Sequence, residues 1–232
     1  MRIVVLTGAG ISAESGLSTF RDADGLWEGH DPMQVATPEA YDDDPALVQR
    51  FYDERRAALS TVEPNAAHRA LARLETALGD DLLVVTQNVD DLHERAGSTR
   101  VHHLHGRLRS AWCTSCDQRH EWDGPLADRP PCPACGERTL RPDIVWFGEI
   151  PYGMDVVERA LWSCDRFVSI GTSGVVYPAA AFVQWARGRT LELNLEPSVG
   201  VSDFEESRQG PATHLVPAWV EEVLGDGGPK SS

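Results

Sequence analysis

Four of the five cysteines form two close pairs, Cys113-x-x-Cys116 and Cys132-x-x-Cys135. Their spacing is typical of a four-thiolate zinc site, in which each pair supplies two sulfur ligands. Four protein ligands leave no coordination position for water, so we expect this zinc to be structural. A zinc ribbon can bind nucleic acid, but residues 117–131 mix Arg with Asp and Glu and show no basic face.

A glycine-rich turn, Gly8-Ala9-Gly10-Ile11-Ser12-Ala13, follows an apolar run near the start of the chain. It fits G-x-G-x-x-G/A, in which the glycines allow a tight turn and close approach of backbone N–H groups to a pyrophosphate. A helix N-terminus after the turn would also favour an anion. An ordinary strand-to-helix turn can look the same, but the strand before it favours nucleotide binding. Asp24 and Glu28 are candidates for holding a ribose, and neither is assigned.

The segment Thr86–Asp90, with sequence TQNVD, closes a second apolar run. Ligands bind at the carboxyl ends of strands in open α/β sheets, and Gln, Asn and Asp can hydrogen-bond a carboxamide or a ribose. An equally good interpretation is that Asn88 or Asp90 caps the following helix.

Three histidines, His102, His103 and His105, lie in a further predicted strand, just before Gly106. A histidine that faces the same crevice can act as a general base near neutral pH. Spacing alone does not choose among the three.

Alternating strands and helices must position these side chains. Short β-branched or apolar runs predict strands, and apolar residues at helical spacing predict helices. The predicted strands are Arg2–Thr7, Leu82–Thr86, Val101–His105, Arg166–Ile170 and Thr190–Asn194. The predicted helices are Pro45–Leu59, Ala66–Leu78 with Asn65 as N-cap, Asp90–Ala96, Asp155–Ser163, Ala179–Arg187 and Pro217–Leu224.

This order predicts an α/β fold with a Rossmann-like parallel sheet and a smaller inserted helical and zinc-ribbon module. We place the Rossmann-like domain at 1–29, 82–110 and 141–232, the helical insert at 30–81, and the zinc-binding module at 111–140. Cys164 precedes an apolar run and is predicted to be a small buried residue.

Composition limits the class of protein. The 232 residues carry a net charge of −15 and are 41% hydrophobic, enough to form a core. The acidic balance argues against nucleic acid as a partner, and no stretch is apolar enough to span a membrane. We therefore expect a cytoplasmic protein. The single lysine is Lys230.

Taken together, these residues resemble the sirtuins, the NAD-dependent protein lysine deacylases. The matching motifs follow in family order: GAGIS at 8–12, FR at 20–21, GLW at 25–27, TQNVD at 86–90, HG at 105–106, the two cysteine pairs, RPDIVWFGE at 141–149, GTS at 171–173, NLE at 194–196 and GPA at 210–212. The match covers nearly the whole chain.

The resemblance implies a role for each matching residue. His105 would be the catalytic base, Asn88 would be the second catalytic residue, and Asp90 would hold the nicotinamide carboxamide. NAD would contact Gly8, Ala9, Gly10, Ile11, Ser12, Phe20, Arg21, Trp27, Gln87, Asn88, Val89, Asp90, Gly171, Thr172, Ser173, Asn194, Leu195, Glu196 and Ala212. An acyl-lysine peptide would add as a strand between residues 145–148, with Val145, Phe147 and Gly148 as contacts, on one side and Gly174, Val175, Val176 and Tyr177 on the other.

The implied reaction transfers the acyl group from lysine to ADP-ribose, releasing nicotinamide and free lysine. Zinc held by Cys113, Cys116, Cys132 and Cys135 would take no part in this chemistry. One rival from another class remains: a binding module, a degenerate Rossmann domain with a zinc ribbon that senses NAD or ADP-ribose. Within enzymes, mono-ADP-ribosyl transfer uses the same cofactor and remains open. A zinc-ribbon nucleic-acid protein is disfavoured by the charge.

The resemblance extends to a subclass that removes acidic acyl groups. Tyr52 and Arg55 match its Tyr-x-x-Arg pair, and Ala36 matches its small residue that widens the pocket. Residues three apart can face one side of a helix, and a guanidinium can bind a carboxylate bidentately. Helix periodicity equally permits an exposed Arg and a packed Tyr. We expect removal of succinyl or malonyl groups, with acetyl also accepted.

Overall fold

The computed structural model describes residues 1–18, 27 and 29–226. Within these residues the strands are β1 Ile3–Thr7, β2 Leu82–Thr86, β3 Val101–His103, β4 Gly106–Cys113, β5 Arg119–Glu121, β6 Leu140–Ile144, β7 Arg166–Ile170, β8 Arg189–Asn194 and β9 Glu206–Gln209. The α-helices are α1 Gly10–Ala13, α2 Pro32–Val35, α3 Pro38–Asp43, α4 Pro45–Ala58, α5 Ala66–Leu78, α6 Leu92–Arg95, α7 Met154–Ser163, α8 Phe182–Trp185 and α9 Ala212–Asp226. No helix in these ranges is both long and apolar enough to cross a membrane.

Six strands form a parallel sheet in the order β3-β2-β1-β7-β8-β9. Every residue of β1 is buried, as expected for a central strand covered on both faces. On one face α5 and α9 pack over the sheet around Leu71 and Trp219. On the other, α7 and α8 pack around Phe167 and Phe182. The predicted α/β fold with a Rossmann-like sheet is confirmed.

A second sheet is antiparallel, with strand order β5-β4-β6. It carries the cysteine pairs, yet it begins at Gly106 and ends at Ile144. The predicted limits of 111–140 are therefore too narrow. The cysteines mark only the metal end of the ribbon, whereas the pairing of β4 with β6 continues toward the large sheet.

Local patterns predicted several elements to the residue, including β2, β7 and α5, and Asn65 caps α5 as expected. The predicted helix start at Pro217 is wrong, because α9 begins at Ala212 and Pro217 lies inside it. A proline usually begins a helix since its missing N–H is not needed there. Here Val216 and Trp219 are buried against the sheet, and this packing keeps the turn that begins at Ala212 helical despite Pro217.

Candidate active site

The site lies where the order of the large sheet reverses. Strands β2 and β3 extend from one side of β1, and β7, β8 and β9 extend from the other. Loops leave the carboxyl ends of β1 and β7 in opposite directions, which opens a crevice that commonly binds ligands. A cleft of about 620 Å³ lies here, within the usual range for small-molecule sites of about 300–1,000 Å³.

Three glycines let the loops after β1 and β7 meet. A Cβ on Gly8 would lie 2.7 Å from the Gly171 carbonyl oxygen, and one on Gly10 would lie 2.7 Å from the Gly171 Cα. Gly171 itself has a φ of +63°, a region that side chains disfavour. Any side chain at these positions would therefore push the two loops apart.

The backbone amides of the glycine-rich turn do not point to a pyrophosphate as the sequence motif predicts, because most of them bond to the protein itself. Gly8 N donates to Ile170 O at 3.0 Å, and Gly10 N donates to Gly171 O at 2.9 Å. Ile11 N and Ser12 N donate to carbonyls of the same turn. These four groups hold the turn rather than a phosphate, and α1 is only four residues long. Among the described residues, the Ala9 amide makes no hydrogen bond to the protein.

Polar side chains after β2 form the floor of the cleft. Asn88 donates through Nδ2 to Gly8 O and to Ser12 Oγ, both at 3.1 Å. Asp90 accepts from Ser12 Oγ at 3.0 Å and from Leu92 N at 3.1 Å. The second bond joins Asp90 to the start of α6, so the carboxylate both supports that helix and lines the cleft. Burial raises the pKa of Asp90, and these hydrogen bonds oppose the shift.

Two further histidines, to which no sequence motif points, lie beneath this floor. His68 Nδ1 accepts from Asn65 N at 3.3 Å, so its Nε2 carries the hydrogen and lies 3.4 Å from Ser12 Oγ. His93 lies 5.0 Å from His68 between ring centroids, with Nε2 3.0 Å from Thr7 Oγ1. Burial lowers the pKa of His68 to about 4 and that of His93 to about 3. Helix periodicity alone would class both as ordinary core positions.

His105 is the histidine of the predicted trio that lines the cleft. Its Nδ1 lies 3.0 Å from Gln87 O. A carbonyl oxygen can only accept, so Nδ1 donates and Nε2 carries the lone pair of the neutral ring. Burial lowers the pKa of His105, which the bond to Gln87 partly offsets. The ring is therefore neutral and basic at Nε2 near pH 7.

The other two histidines are held elsewhere. His102 Nε2 contacts Tyr152 O at 2.8 Å. His103 contacts Asn88 O at 3.1 Å through Nδ1 and Glu94 Oε1 at 2.7 Å through Nε2. The tertiary structure thus resolves a choice that the spacing left open.

The helical insert provides the outer wall of the same cleft. Tyr52 and Arg55 on α4 and Ala36 after α2 all line it, and Tyr52 is fully buried. The guanidinium of Arg55 lies 3.5 Å from the Phe51 ring centroid, and its Nη1 donates to Phe51 O at 3.1 Å. Both members of the predicted Tyr-x-x-Arg pair therefore face the cleft.

The placement of the remaining predicted residues divides into three groups. Besides those already described, the cleft is lined by Ala9, Trp27, Gln87, Val89, Thr172, Ser173, Asn194, Glu196, Val145, Phe147, Gly148, Val176 and Tyr177. The lining does not include Ile11 and Ala212, which are in the core, the exposed Leu195, or Gly174 and Val175. Phe20, Arg21, Asp24 and Glu28 lie outside the described residues.

The side chains of Ile11, Leu195 and Ala212 therefore do not line the cleft, and their contact with NAD stays a prediction. Ile11 is directed into the cluster beneath β1, and Ala212 starts a helix packed on the sheet. Leu195 follows β8 with its side chain exposed. Residues adjacent to a ligand in sequence need not face it. The cleft lining also includes Trp146, which lies within the predicted peptide-binding range 145–148, and Glu149 and Ser198, to which the sequence motifs assign no role.

The four paired cysteines converge at the far end of the antiparallel sheet. All four Sγ atoms lie within 4.8 Å of one another, with Cys113 and Cys135 3.7 Å apart and Cys116 and Cys132 3.8 Å apart. Four sulfurs about 2.3 Å from a tetrahedral zinc ion would be about 3.8 Å apart, so the donor set fits zinc. None of these cysteines lines the cleft, which agrees with a structural metal.

Comparison with known proteins identifies the family. The Sir2 family model matches residues 8–178. The NAD-dependent protein deacylase of Pasteurella multocida (strain Pm70) is 54% identical, over 97% of this chain and 98% of its own. A Sir2 homologue solved with NAD is 39% identical with a TM-score of 0.87, over 97% of this chain and 90% of its own.

A Sir2 protein solved with a myristoylated histone peptide is 31% identical, with a TM-score of 0.75, over 97% of this chain and 93% of its own. Both the sequence match and the shared fold extend over the cleft described above. The chain belongs to the Sir2 family, the sirtuins.

Proposed function

We propose that this protein is an NAD-dependent protein lysine deacylase that removes succinyl or malonyl groups as well as acetyl groups. The observation that carries the acyl preference is the position of Tyr52 and Arg55. They line the same cleft as His105, and Ala36 leaves room beside them.

The cleft suits NAD on its inner side. The close-packed glycine loops at the reversal of strand order leave room for a dinucleotide without obstructing side chains. Asn88 and Asp90 provide fixed polar groups on the floor. The relatives named NAD-dependent protein deacylase and the Sir2 homologue solved with NAD support this assignment.

Bound NAD would supply an electrophilic ribose carbon whose nicotinamide can leave. The protein's part is to hold that carbon beside the acyl-lysine carbonyl oxygen, because a weak nucleophile gains most from proximity. His105 would accept a proton from a ribose hydroxyl at Nε2, and its Nδ1 bond to Gln87 O keeps the ring in the required tautomer. Asn88 would orient polar groups of the cofactor from the floor.

The outer wall of the cleft suits an acidic acyl chain. Arg55 brings a positive charge to a protein of net charge −15, and Tyr52 contributes a phenol hydroxyl. Glu149 also lines the cleft, but Arg141 binds it with two hydrogen bonds of 2.9 and 3.0 Å, which neutralises its charge. The carboxylate of a succinyl or malonyl group is therefore attracted to Arg55, whereas an uncharged acetyl group needs only room in the cleft.

Matched peptides bearing acetyl-, malonyl- or succinyl-lysine test this proposal. We expect NAD-dependent turnover of all three. Arg55→Met removes the charge and keeps an unbranched side chain, so it should lower kcat/KM for succinyl-lysine at least tenfold more than for acetyl-lysine. A hydrogen bond to a charged group contributes about 1.5–3 kcal/mol, which corresponds to about 10- to 150-fold.

The matched control is Arg50→Met, because Arg50 is exposed on the same helix and does not line the cleft. It should leave the ratio of the two kcat/KM values unchanged. An equal loss of both activities in Arg55→Met would contradict the acyl preference. The absence of nicotinamide release with every acyl peptide would contradict deacylation itself.

A further inference from the structure

Trp146 makes a hydrogen bond that determines how Tyr52 can use its hydroxyl group. The indole Nε1 of Trp146 lies 3.0 Å from Tyr52 Oη. An indole nitrogen can only donate, so the phenol oxygen is the acceptor. A phenol hydrogen lies near the ring plane, on one side of the oxygen or the other, and the indole N–H occupies one side. The hydroxyl hydrogen of Tyr52 must then be directed away from Trp146.

The indole ring is itself held rigidly. Trp146 is 2% exposed, and the guanidinium of Arg141 lies 3.5 Å from its ring centroid. Arg141 binds Glu149 through two hydrogen bonds, and Glu149 Oε2 accepts from Trp146 N at 2.8 Å. The ring of Tyr41 packs against the indole with 5.2 Å between centroids. The backbone and the ring of Trp146 are therefore both fixed. The direction of the indole N–H is fixed as a result.

None of the hydrogen bonds among the described residues uses the Tyr52 hydroxyl as a donor. Burial raises the pKa of Tyr52, so the hydroxyl keeps its hydrogen throughout the working pH range. A buried donor that stays protonated and lines the cleft suits an acceptor on the ligand.

We propose that Trp146 is a specificity-determining positioning residue, which orients the Tyr52 hydroxyl to donate to the carboxylate of an acidic acyl group. This inference rests on the proposed acyl preference and adds a residue to it. An acetyl group has no carboxylate to receive the hydrogen, so loss of the Trp146 bond should affect acidic acyl groups selectively.

The test is the ratio of KM for succinyl-lysine peptide to KM for the matched acetyl-lysine peptide. Trp146→Phe removes the N–H donor, and we expect the ratio to rise about tenfold, the effect of one misdirected hydrogen bond to a charged group. In a Tyr52→Phe background the same substitution should leave the ratio unchanged, because no hydroxyl remains to be oriented.

Two further variants separate orientation from packing. Replacement of Trp146 by benzothienylalanine keeps the ring shape without the N–H and should raise the ratio as Trp146→Phe does, even if Trp146→Phe fails to fold. Tyr41→Phe alters the other neighbour of the indole, whose hydroxyl accepts from Gln49 Nε2 at 3.0 Å, and should not change the ratio.

The outcomes also separate this inference from the proposed function. If Arg55→Met and Tyr52→Phe raise the ratio but neither Trp146 variant does, the role of Trp146 is refuted and the acyl preference stands. The same refutation follows if Trp146→Phe raises the ratio equally with and without the Tyr52 hydroxyl. If Arg55→Met and Tyr52→Phe leave the ratio unchanged, both proposals fail.

Discussion

Replacing His68 by Gln should make the stability of this protein less sensitive to acid. His68 is fully buried, and burial lowers its pKa from 6.5 to about 4. Its Nδ1 accepts from Asn65 N, the capping contact of α5. A glutamine oxygen at this third helical position can accept the same bond, so the substitution removes the titrating group and keeps the cap.

The sign follows from proton binding in the two states. Below about pH 6.5 the unfolded chain binds a proton at His68, whereas the native chain binds one only near pH 4. Stability contributed by the neutral ring is therefore present above the unfolded pKa and lost as the pH falls toward the native pKa. Between about pH 7 and about pH 5 the loss from this one group is about 2 kcal/mol.

His93 adds a similar loss, because its pKa is lowered to about 3, but it remains in both proteins. Any pH dependence of metal binding at the zinc site is also common to both proteins. The difference between wild type and His68→Gln therefore isolates His68. We expect wild type to lose about 2 kcal/mol more than the variant between these pH values.

Urea denaturation of the zinc-loaded protein at a series of pH values measures this difference. Far-ultraviolet circular dichroism follows unfolding of the whole chain, and equal m-values would show that the two proteins expose the same surface. Parallel pH dependences would refute the reasoning, because they would mean that His68 binds a proton in the native state as readily as in the unfolded chain.

Three other predictions concern the catalytic base, the link between modules, and the metal. His105→Ala should abolish turnover of acyl peptide while NAD binding persists in calorimetry; retained turnover would remove His105 as the base. Asp53→Ala should lower the free energy of unfolding, measured by urea denaturation, by about 3–5 kcal/mol. The substitution leaves buried Arg56 without its 2.7 Å ion pair and leaves Leu126 N and Ala127 N without an acceptor. A decrease below about 1 kcal/mol would contradict this. Complete removal of zinc should unfold the cysteine module, seen as fast proteolysis within 106–144, and continued resistance would refute a structural metal.

Local sequence patterns were enough to predict much of the scaffold. The apolar runs of β2 and β7 and the amphipathic pattern of α5 depend on neighbouring residues, so their limits could be read directly. Local patterns do not predict the ribbon strand β4, because the strand is formed by its long-range pairing with β6. The local pattern also places the start of α9 too late, because contacts with the distant sheet outweigh the preference of Pro217 for the first turn of a helix.

The sequence by itself determined the fold class, the zinc ligands and the resemblance to sirtuins, since residue type and short spacing carry that information. Only the tertiary structure showed that His105, and not His102 or His103, lines the cleft, placed His68 beneath the cleft floor and brought Trp146 to Tyr52. Tyr52 lies on α4 and Trp146 in the loop after β6, 94 residues apart in the chain. Contacts of this kind depend on how the sheets and the helical insert pack together, which no local pattern specifies.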